Sequence, residues 1–306
     1  MKRPKRLRRC QLSVPASSEK LIASARNRAV DYVFLDLEDS VAPNAKEEAR
    51  ERVIKAVNEG AFRCGTIAAR VNELSSQWAL DDITRLVAEC GATIDVIILP
   101  KVKDAEEIRF ADRLITMLEA KHGIDKPIGL EVLIEEVEAM MNVEAIAASS
   151  PRLEALIFGM GDYAASQGIV TSGVGETDDY PGDLFHYHRN RVSVAARVAG
   201  IAAIDGPFAD FNNAQKYREE ARRAALLGFQ GKWAIHPAQI ELAEEIFSPD
   251  PAVVEKAMAI SDAYEKARAR GEGAIQVEGK MVDVASVRIF NDMIALAGMI
   301  ADRDRR

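Results

Sequence analysis

Aromatic residues make up only 6% of this 306-residue chain, which holds three cysteines and four histidines. Cys10, Cys64 and Cys90 cannot all pair with one another and show no metal-ligand spacing, so neither a disulfide framework nor a cysteine zinc site is expected. His122, His186, His188 and His236 are scattered, and no histidine cluster suggests zinc. No continuous run reaches the roughly 20 apolar residues of a membrane helix, so no membrane partner is expected. Net positive charge is also missing. The balance is −8, opposite in sign to the footprint of a nucleic-acid binder, so no nucleic-acid partner is expected either. The exception is the start of the chain, with Lys2, Arg3, Lys5, Arg6, Arg8 and Arg9. No apolar segment follows, so this is not a secretory signal. It reads as a solvated basic start or as a segment that reaches an anionic ligand. Together with reduced thiols, this implies a cytoplasmic protein.

What the chain does have is eight short β-branched, apolar runs, at 10–15, 32–38, 66–71, 96–101, 128–134, 155–160, 201–205 and 232–236. Amphipathic helical stretches separate them, at 45–57, 80–90, 104–121, 137–148 and 184–199 among others. Ser17, Ser18 and Glu19 have the form of a helix start. Strand then helix, eight times, predicts an α/β fold, a (β/α)8 TIM barrel, which takes about 250 residues as one unit. Residues 1–240 would form the barrel and 241–306 a C-terminal helical extension. The glycine- and acid-rich stretch 171–183 is the longest low-propensity loop, a candidate lid or subunit contact.

Barrel enzymes carry their chemistry at the C-terminal ends of the strands. Here those ends hold Asp36, Glu38 and Asp39, then Arg70, Lys101, Glu135, Asp162, Asp205 and His236. Glu135 and Asp162 close the fifth and sixth runs and should approach each other. Two hard oxygen ligands suit Mg²⁺, and strand-end salt bridges are the alternative. Glu38 and Asp39 could orient metal-bound waters, or Asp39 could cap a helix. Arg70 could clamp a carboxylate or serve as internal counter-ion to Asp36 or Glu38. Lys101 is more readily a salt-bridged lysine than a Schiff-base lysine. His236 could contact a ligand or be a capped structural residue. Asp283, far beyond the barrel, reads from its surroundings as a helix N-cap.

Several segments together resemble the citrate lyase β-subunit / malyl-CoA lyase family, within the HpcH/HpaI-like barrel superfamily. They are LDLEDSVAP (35–43), ARVN (69–72), ILPKV (98–102), EVLIEE (131–136), SSPRLEALIFGMGDYAAS (149–166), AIDGPFADF (203–211), GKWAIHPAQI (231–240) and GKMVDVAS (279–286). The resemblance implies Mg²⁺, with Mn²⁺ as an alternative ion, on Glu135 and Asp162. It implies a keto-acid carboxylate on Arg70, and an acidic strand end near the metal at Glu38 and Asp39. Substrate contacts are implied at Ser13, Val14, Gly161, Asp162, Ile235 and His236. Asp283 is implied to act in catalysis from a neighbouring subunit, hence a homotrimer or homohexamer. The implied activity is reversible carbon–carbon cleavage of L-malyl-CoA or β-methylmalyl-CoA to acetyl-CoA or propionyl-CoA and glyoxylate, with CoA entering as part of the substrate. Citramalyl-CoA cleavage, malyl-CoA thioester hydrolysis and a citrate lyase β-subunit role in a multi-subunit complex are the alternatives. The chain departs from the family at Ala16, where the start motif has glycine, and at Ser18 and Ser24, where basic residues would meet CoA phosphates. Lys20 or the basic N-terminus is the expected substitute.

Overall fold

A computed structural model describes residues 3–170 and 182–305. Eight parallel strands close into a barrel in sequence order: β1 Cys10–Pro15, β2 Tyr32–Asp36, β3 Thr66–Arg70, β4 Val96–Leu99, β5 Gly129–Ile134, β6 Leu153–Phe158, β7 Ala202–Asp205 and β8 Gly231–Ala234. The helices between them are α1 Glu19–Arg26, α2 Lys46–Glu59, α3 Ala79–Cys90, α4 Ala105–His122, α5 Val137–Met141, α6 Val143–Ala147, α7 Met160–Ser166, α8 His186–Ala199 and α9 Ala214–Leu226, with α10 Ile240–Ile246 after the last strand. Ser18 caps α1 as its sequence suggests, accepting from Leu21 N at 3.3 Å. The single helix expected over 137–148 is two. Asn142 lies between them, and its side-chain amide donates to Lys103 O at 3.0 Å, 39 residues back in the chain.

The strands are buried on both faces because helices cover the outside and side chains fill the inside. Tyr32, Phe34, Ala68, Val96, Ile98, Leu133, Ala155, Ile157, Ala202, Ile204 and Trp233 form the interior cluster. They recur at alternate positions, as a pleated strand requires. Trp233 and Phe34 pack with ring centres 4.4 Å apart and planes tilted by 43°, and the alanines leave room for them.

The N-terminal end of the barrel is closed by charge. Arg8 donates to Glu131 at 2.8 Å and to Glu154 at 2.5 Å, and Arg6 reaches Glu154 and Asp95. Arg9 pairs with Asp31 at 2.7 Å, and Arg3 donates to the carbonyls of Ala199 and Ser150. Gln11 links Glu131 to the Trp233 indole. For these arginines this overturns both expectations, a solvated basic start and a segment that reaches an anionic ligand or replaces CoA-binding residues; Lys5 stays exposed, and Lys2 lies outside the described residues. Arg3, Arg6, Arg8 and Arg9 are consumed at the end of the barrel opposite the strand C-termini.

The chain divides into two compact units, up to Glu244 and from Glu245 onward. In the second, α11 Pro251–Arg268 precedes a hairpin of β9 Ile275–Val277 and β10 Lys280–Val282, then α12 Val284–Asp304. Glu278 and Gly279 both take positive φ, as the tight turn demands. Ile260, Tyr264, Val282 and Val287 form its core. By length and composition α12 could cross a membrane, which corrects the expectation that no segment approaches that length. The qualifying stretch still contains Arg288 and Asp292.

Candidate active site

Parallel register brings the charged strand ends together. Asp36 and Arg70 are register partners at the ends of β2 and β3, two residues beyond the interior pair Phe34 and Ala68, so both point into the mouth. Arg70 donates to Asp36 from Nε and Nη2, both at 2.7 Å, and its Nη1 lies 2.9 Å from Glu38 Oε2. Its guanidinium also sits 5.5 Å from the Trp233 ring centre. Burial would raise the Asp36 carboxyl, but the Arg70 charge outweighs it and holds the group below its ordinary range. Arg70 is therefore a counter-ion to Asp36 and Glu38 in this structure.

Glu135 follows Glu131 and Leu133 on the interior side of β5 and is 1% exposed. Its Oε1 accepts from Lys101 N at 2.8 Å. Gly159 makes room for it: a Cβ there would stand 2.5 Å from Glu135 Oε2. Burial, then the Asp162 charge, pushes its carboxyl up to about 8. Asp162 lies in the first turn of α7 rather than at the end of β6, and burial and Asp39 raise it as well.

Lys101 joins the two halves of the mouth. Its Nζ reaches Glu38 Oε1 at 2.6 Å and Asp39 Oδ1 at 3.0 Å. Burial would lower its pKa, but those two acids raise it well above the ordinary lysine range. A lysine held charged in this way is no Schiff-base nucleophile. Asp39 caps no helix; the residues before the 3₁₀ turn and α2 are Ala42 and Ala45.

Ser13 and Val14 lie in β1, paired with β2 on one side; β8 pairs only with Cys10–Leu12. Gly161 sits beside Asp162 in α7. Ile235 N donates to Gln239 Oε1 at 2.8 Å, and His236 Nδ1 accepts from Ala238 N at 3.2 Å, so His236 is a capping residue. It also stacks on Phe211 at 4.8 Å. Asp205 ends β7 as expected, and there it pairs with Lys232 and Arg189. Asp283 belongs to the second unit and caps α12, accepting from Ala285 N at 3.0 Å and Ser286 N at 3.1 Å. The bonds from Ser286 hold its carboxyl below the ordinary range. The loop expected as a lid lies outside the described residues from 171 to 181; Asp183, at its end, pairs with Arg189 at 2.9 Å.

Two supports were not anticipated. Lys46 donates to Leu37 O at 2.8 Å and Glu38 O at 2.7 Å, fixing the acidic loop. Asp82 accepts from Arg50 Nε at 2.7 Å and from Asn72 N at 3.0 Å, fixing the chain after Arg70. Lys46 carried a signal, since a lysine at the positive end of a helix is unfavourable without another partner.

Among the described residues no three His, Cys, Asp or Glu side chains are grouped to hold a metal ion. A metal at this mouth would rest on Glu135 and Asp162 plus water and substrate oxygens, a donor set that suits Mg²⁺. The raised, buried Glu135 beside Asp162 fits such an ion, which would relieve their repulsion.

Fold and site define a (β/α)8 barrel whose mouth gathers acids, an arginine and a lysine, the layout of barrel enzymes. The profile described as HpcH/HpaI aldolase/citrate lyase matches residues 9–237. An L-malyl-CoA/beta-methylmalyl-CoA lyase of Rhodobacter capsulatus is 40% identical, covering 97% of this chain and 96% of the relative. A malyl-CoA/beta-methylmalyl-CoA/citramalyl-CoA lyase of Chloroflexus aurantiacus is 37% identical over 90% of this chain and 83% of the relative. The structure of CitE from Mycobacterium tuberculosis with magnesium, acetoacetate and coenzyme A superposes with a TM-score of 0.73 at 26% identity, covering 94% and 97% of the two chains. The chain belongs to the HpcH/HpaI aldolase/citrate lyase family.

Proposed function

We propose that this chain is a Mg²⁺-dependent carbon–carbon lyase that reversibly cleaves L-malyl-CoA, or β-methylmalyl-CoA, to acetyl-CoA, or propionyl-CoA, and glyoxylate. The observation that carries this reading is the buried Glu135 beside Asp162, in the same mouth as Arg70, on a chain 40% identical to a lyase of that name. Glu135 and Asp162 would hold the ion, which would supply Lewis-acid stabilisation to hydroxyl and carboxylate oxygens.

The chain's own residues do the rest. Arg70 holds the substrate carboxylate in register. Asp36 keeps the guanidinium plane fixed through its two bonds, and Glu38 gives up its contact at Nη1 as the carboxylate arrives. Ser13, Val14, Gly161, Ile235 and His236 line the approach. In cleavage the hydroxyl proton passes to water, the oxygen becomes the glyoxylate carbonyl, and the C–C electron pair moves to the thioester α-carbon. Asp283 returns a proton there, or removes one in the condensation direction. Its helix cap holds it ionised, which suits the accepting role. We assign Asp283 to a neighbouring subunit's mouth in a homotrimer or homohexamer. Support comes from the exposed apolar side of α12, where Ile289 is 65% exposed. Arg288 and Asp292 would be costly inside a lipid bilayer, so we assign α12 to a protein contact and the enzyme to the cytoplasm.

Citramalyl-CoA is the second substrate reading, favoured by the name of the Chloroflexus relative. One methyl changes discrimination by only about 1–3 kcal/mol. The test is mass spectrometry of the purified chain with glyoxylate and acetyl-CoA or propionyl-CoA, with and without Mg²⁺. A Mg²⁺-dependent malyl-CoA or methylmalyl-CoA product is expected. Free CoA with malate would indicate thioester hydrolysis, and no product with either thioester would redirect the assignment to citramalyl-CoA or a carrier-bound thioester.

A further inference from the structure

The mouth holds more acid than one divalent ion requires. Asp36 is neutralised by Arg70, and Glu135 with Asp162 are assigned to the ion. That leaves Glu38 and Asp39 as a second pair of adjacent carboxylates. Their charges reach the first pair: Asp39 acts on Asp162, and Glu38 on Glu135. Glu38 is 4% exposed, and its Oε2 makes no hydrogen bond although Arg70 Nη1 lies 2.9 Å away. Two neighbouring carboxylates at the barrel mouth are oxygen ligands of the kind a second Mg²⁺ would use.

One side chain stands where that ion would sit. Lys101 Nζ is 2.6 Å from Glu38 Oε1 and 3.0 Å from Asp39 Oδ1. Its backbone is fixed at φ +51, one of three non-glycine residues with positive φ among those described, and the only one of them at the mouth. A lysine in that conformation is strained and persists where its surroundings impose it. Here both ends are engaged: the N–H bonds Glu135 and the ammonium bonds the second acidic pair. The bend lets one residue serve both pairs.

We infer that Lys101 is a built-in second cation: its ammonium occupies the Glu38–Asp39 pair and restricts the mouth to one divalent ion, held by Glu135 and Asp162. The inference rests on the metal reading proposed above. Lys101 is a positioning and specificity residue and touches no reacting atom. Without the ammonium, Glu38 and Asp39 keep Arg70 Nη1 beside them, at 2.9 and 3.9 Å, and the oxygens that Lys101 held can take a second ion, where it would compete with Arg70 for the substrate carboxylate.

The test counts ions. Wild type, Lys101→Met and Lys101→Arg are titrated with Mg²⁺ by calorimetry and with Mn²⁺ by electron paramagnetic resonance, after circular dichroism has checked their folding. Wild type and Lys101→Arg are expected to bind one ion. Lys101→Met is expected to bind two, with the spectral broadening of neighbouring Mn²⁺ ions and a KM for glyoxylate raised about tenfold or more, the scale of one lost charge-assisted contact. Adding Glu38→Gln and Asp39→Asn to Lys101→Met should return the count to one. A single ion in Lys101→Met, or an unfolded Lys101→Met with two ions in Lys101→Arg, would overturn the inference while leaving the metal site intact. A wild-type chain that binds neither Mg²⁺ nor Mn²⁺ would overturn the metal reading itself.

Discussion

The two ends of the barrel are both lined with charge, and they handle it in opposite ways. At the N-terminal end Arg6, Arg8, Arg9 and Lys126 meet Asp31, Asp95, Glu131 and Glu154, with Glu244 3.8 Å from Arg9, so each of these acids has an ion-pair partner. At the C-terminal end Arg70 and Lys101 pair with Asp36, Glu38 and Asp39, Lys46 binds the carbonyls behind them, and Lys232 and Arg189 pair with Asp205, but Glu135 and Asp162 form no ion pair among the described residues. The first end resolves Arg8 as firmly charged between its acids. The second leaves Glu135 pushed up to about 8. Balanced buried charge closes a structure; unbalanced buried charge calls for something that is not part of the chain.

The most severe break of this comparison is at the unbalanced end. Glu135→Gln should lower kcat by roughly a thousandfold or more, since the Lewis-acid contribution is worth several kcal/mol. The folded protein should melt no lower than wild type, because an unfavourable buried charge has been removed. Steady-state kinetics and a melting curve check both parts.

Next in size is the balanced end. Arg8→Met strands Glu131 and Glu154 without their main partner, at a cost of about 3–5 kcal/mol in stability. Denaturant unfolding should register that loss, while the folded fraction keeps its Mg²⁺ affinity. If Arg8→Met instead weakened Mg²⁺ binding with stability unchanged, the two ends would not be separable.

A pH experiment sharpens the contrast. Glu135 titrates higher in the folded chain than its ordinary 4.5, so the ion-free protein loses stability as pH rises from about 4.5 through about 8. Stabilisation by Mg²⁺ should therefore be larger at pH 8.5 than at pH 6, read as a thermal shift. Glu135→Gln should flatten that difference.

The smallest structural effect is expected at Asp283. Asp283→Ser keeps an N-cap oxygen for α12 and removes the carboxylate. Folding and Mg²⁺ affinity should be unchanged while turnover falls severely. Normal turnover would remove Asp283 from the proton-transfer role.

Much of the fold was legible because eight short, continuously apolar runs separated by helical stretches leave few other arrangements. The site was less legible. Arg70 was legible as a carboxylate clamp or a counter-ion to Asp36 or Glu38, but choosing between them needed the β2–β3 register, which no local pattern encodes. Asp162 falls in a helix because β6 ends at Phe158 and α7 starts at Met160, a boundary the apolar run through Met160 hides. The basic N-terminus was misread because Glu131 and Glu154, its partners, are more than 120 residues away and sit inside strands that otherwise read as apolar. Asp283 was legible locally as a helix cap, and that reading stands beside the catalytic role proposed for it.

The central claim is that the charge excess at the C-terminal end is completed by a divalent ion on Glu135 and Asp162. Calorimetric titration of Mg²⁺ into the metal-stripped wild-type chain at pH 8.5, beside Glu135→Gln, tests it most directly. One bound ion in the wild type, and none in the variant, is the predicted result. Equal binding by both proteins, or binding by neither, would contradict it.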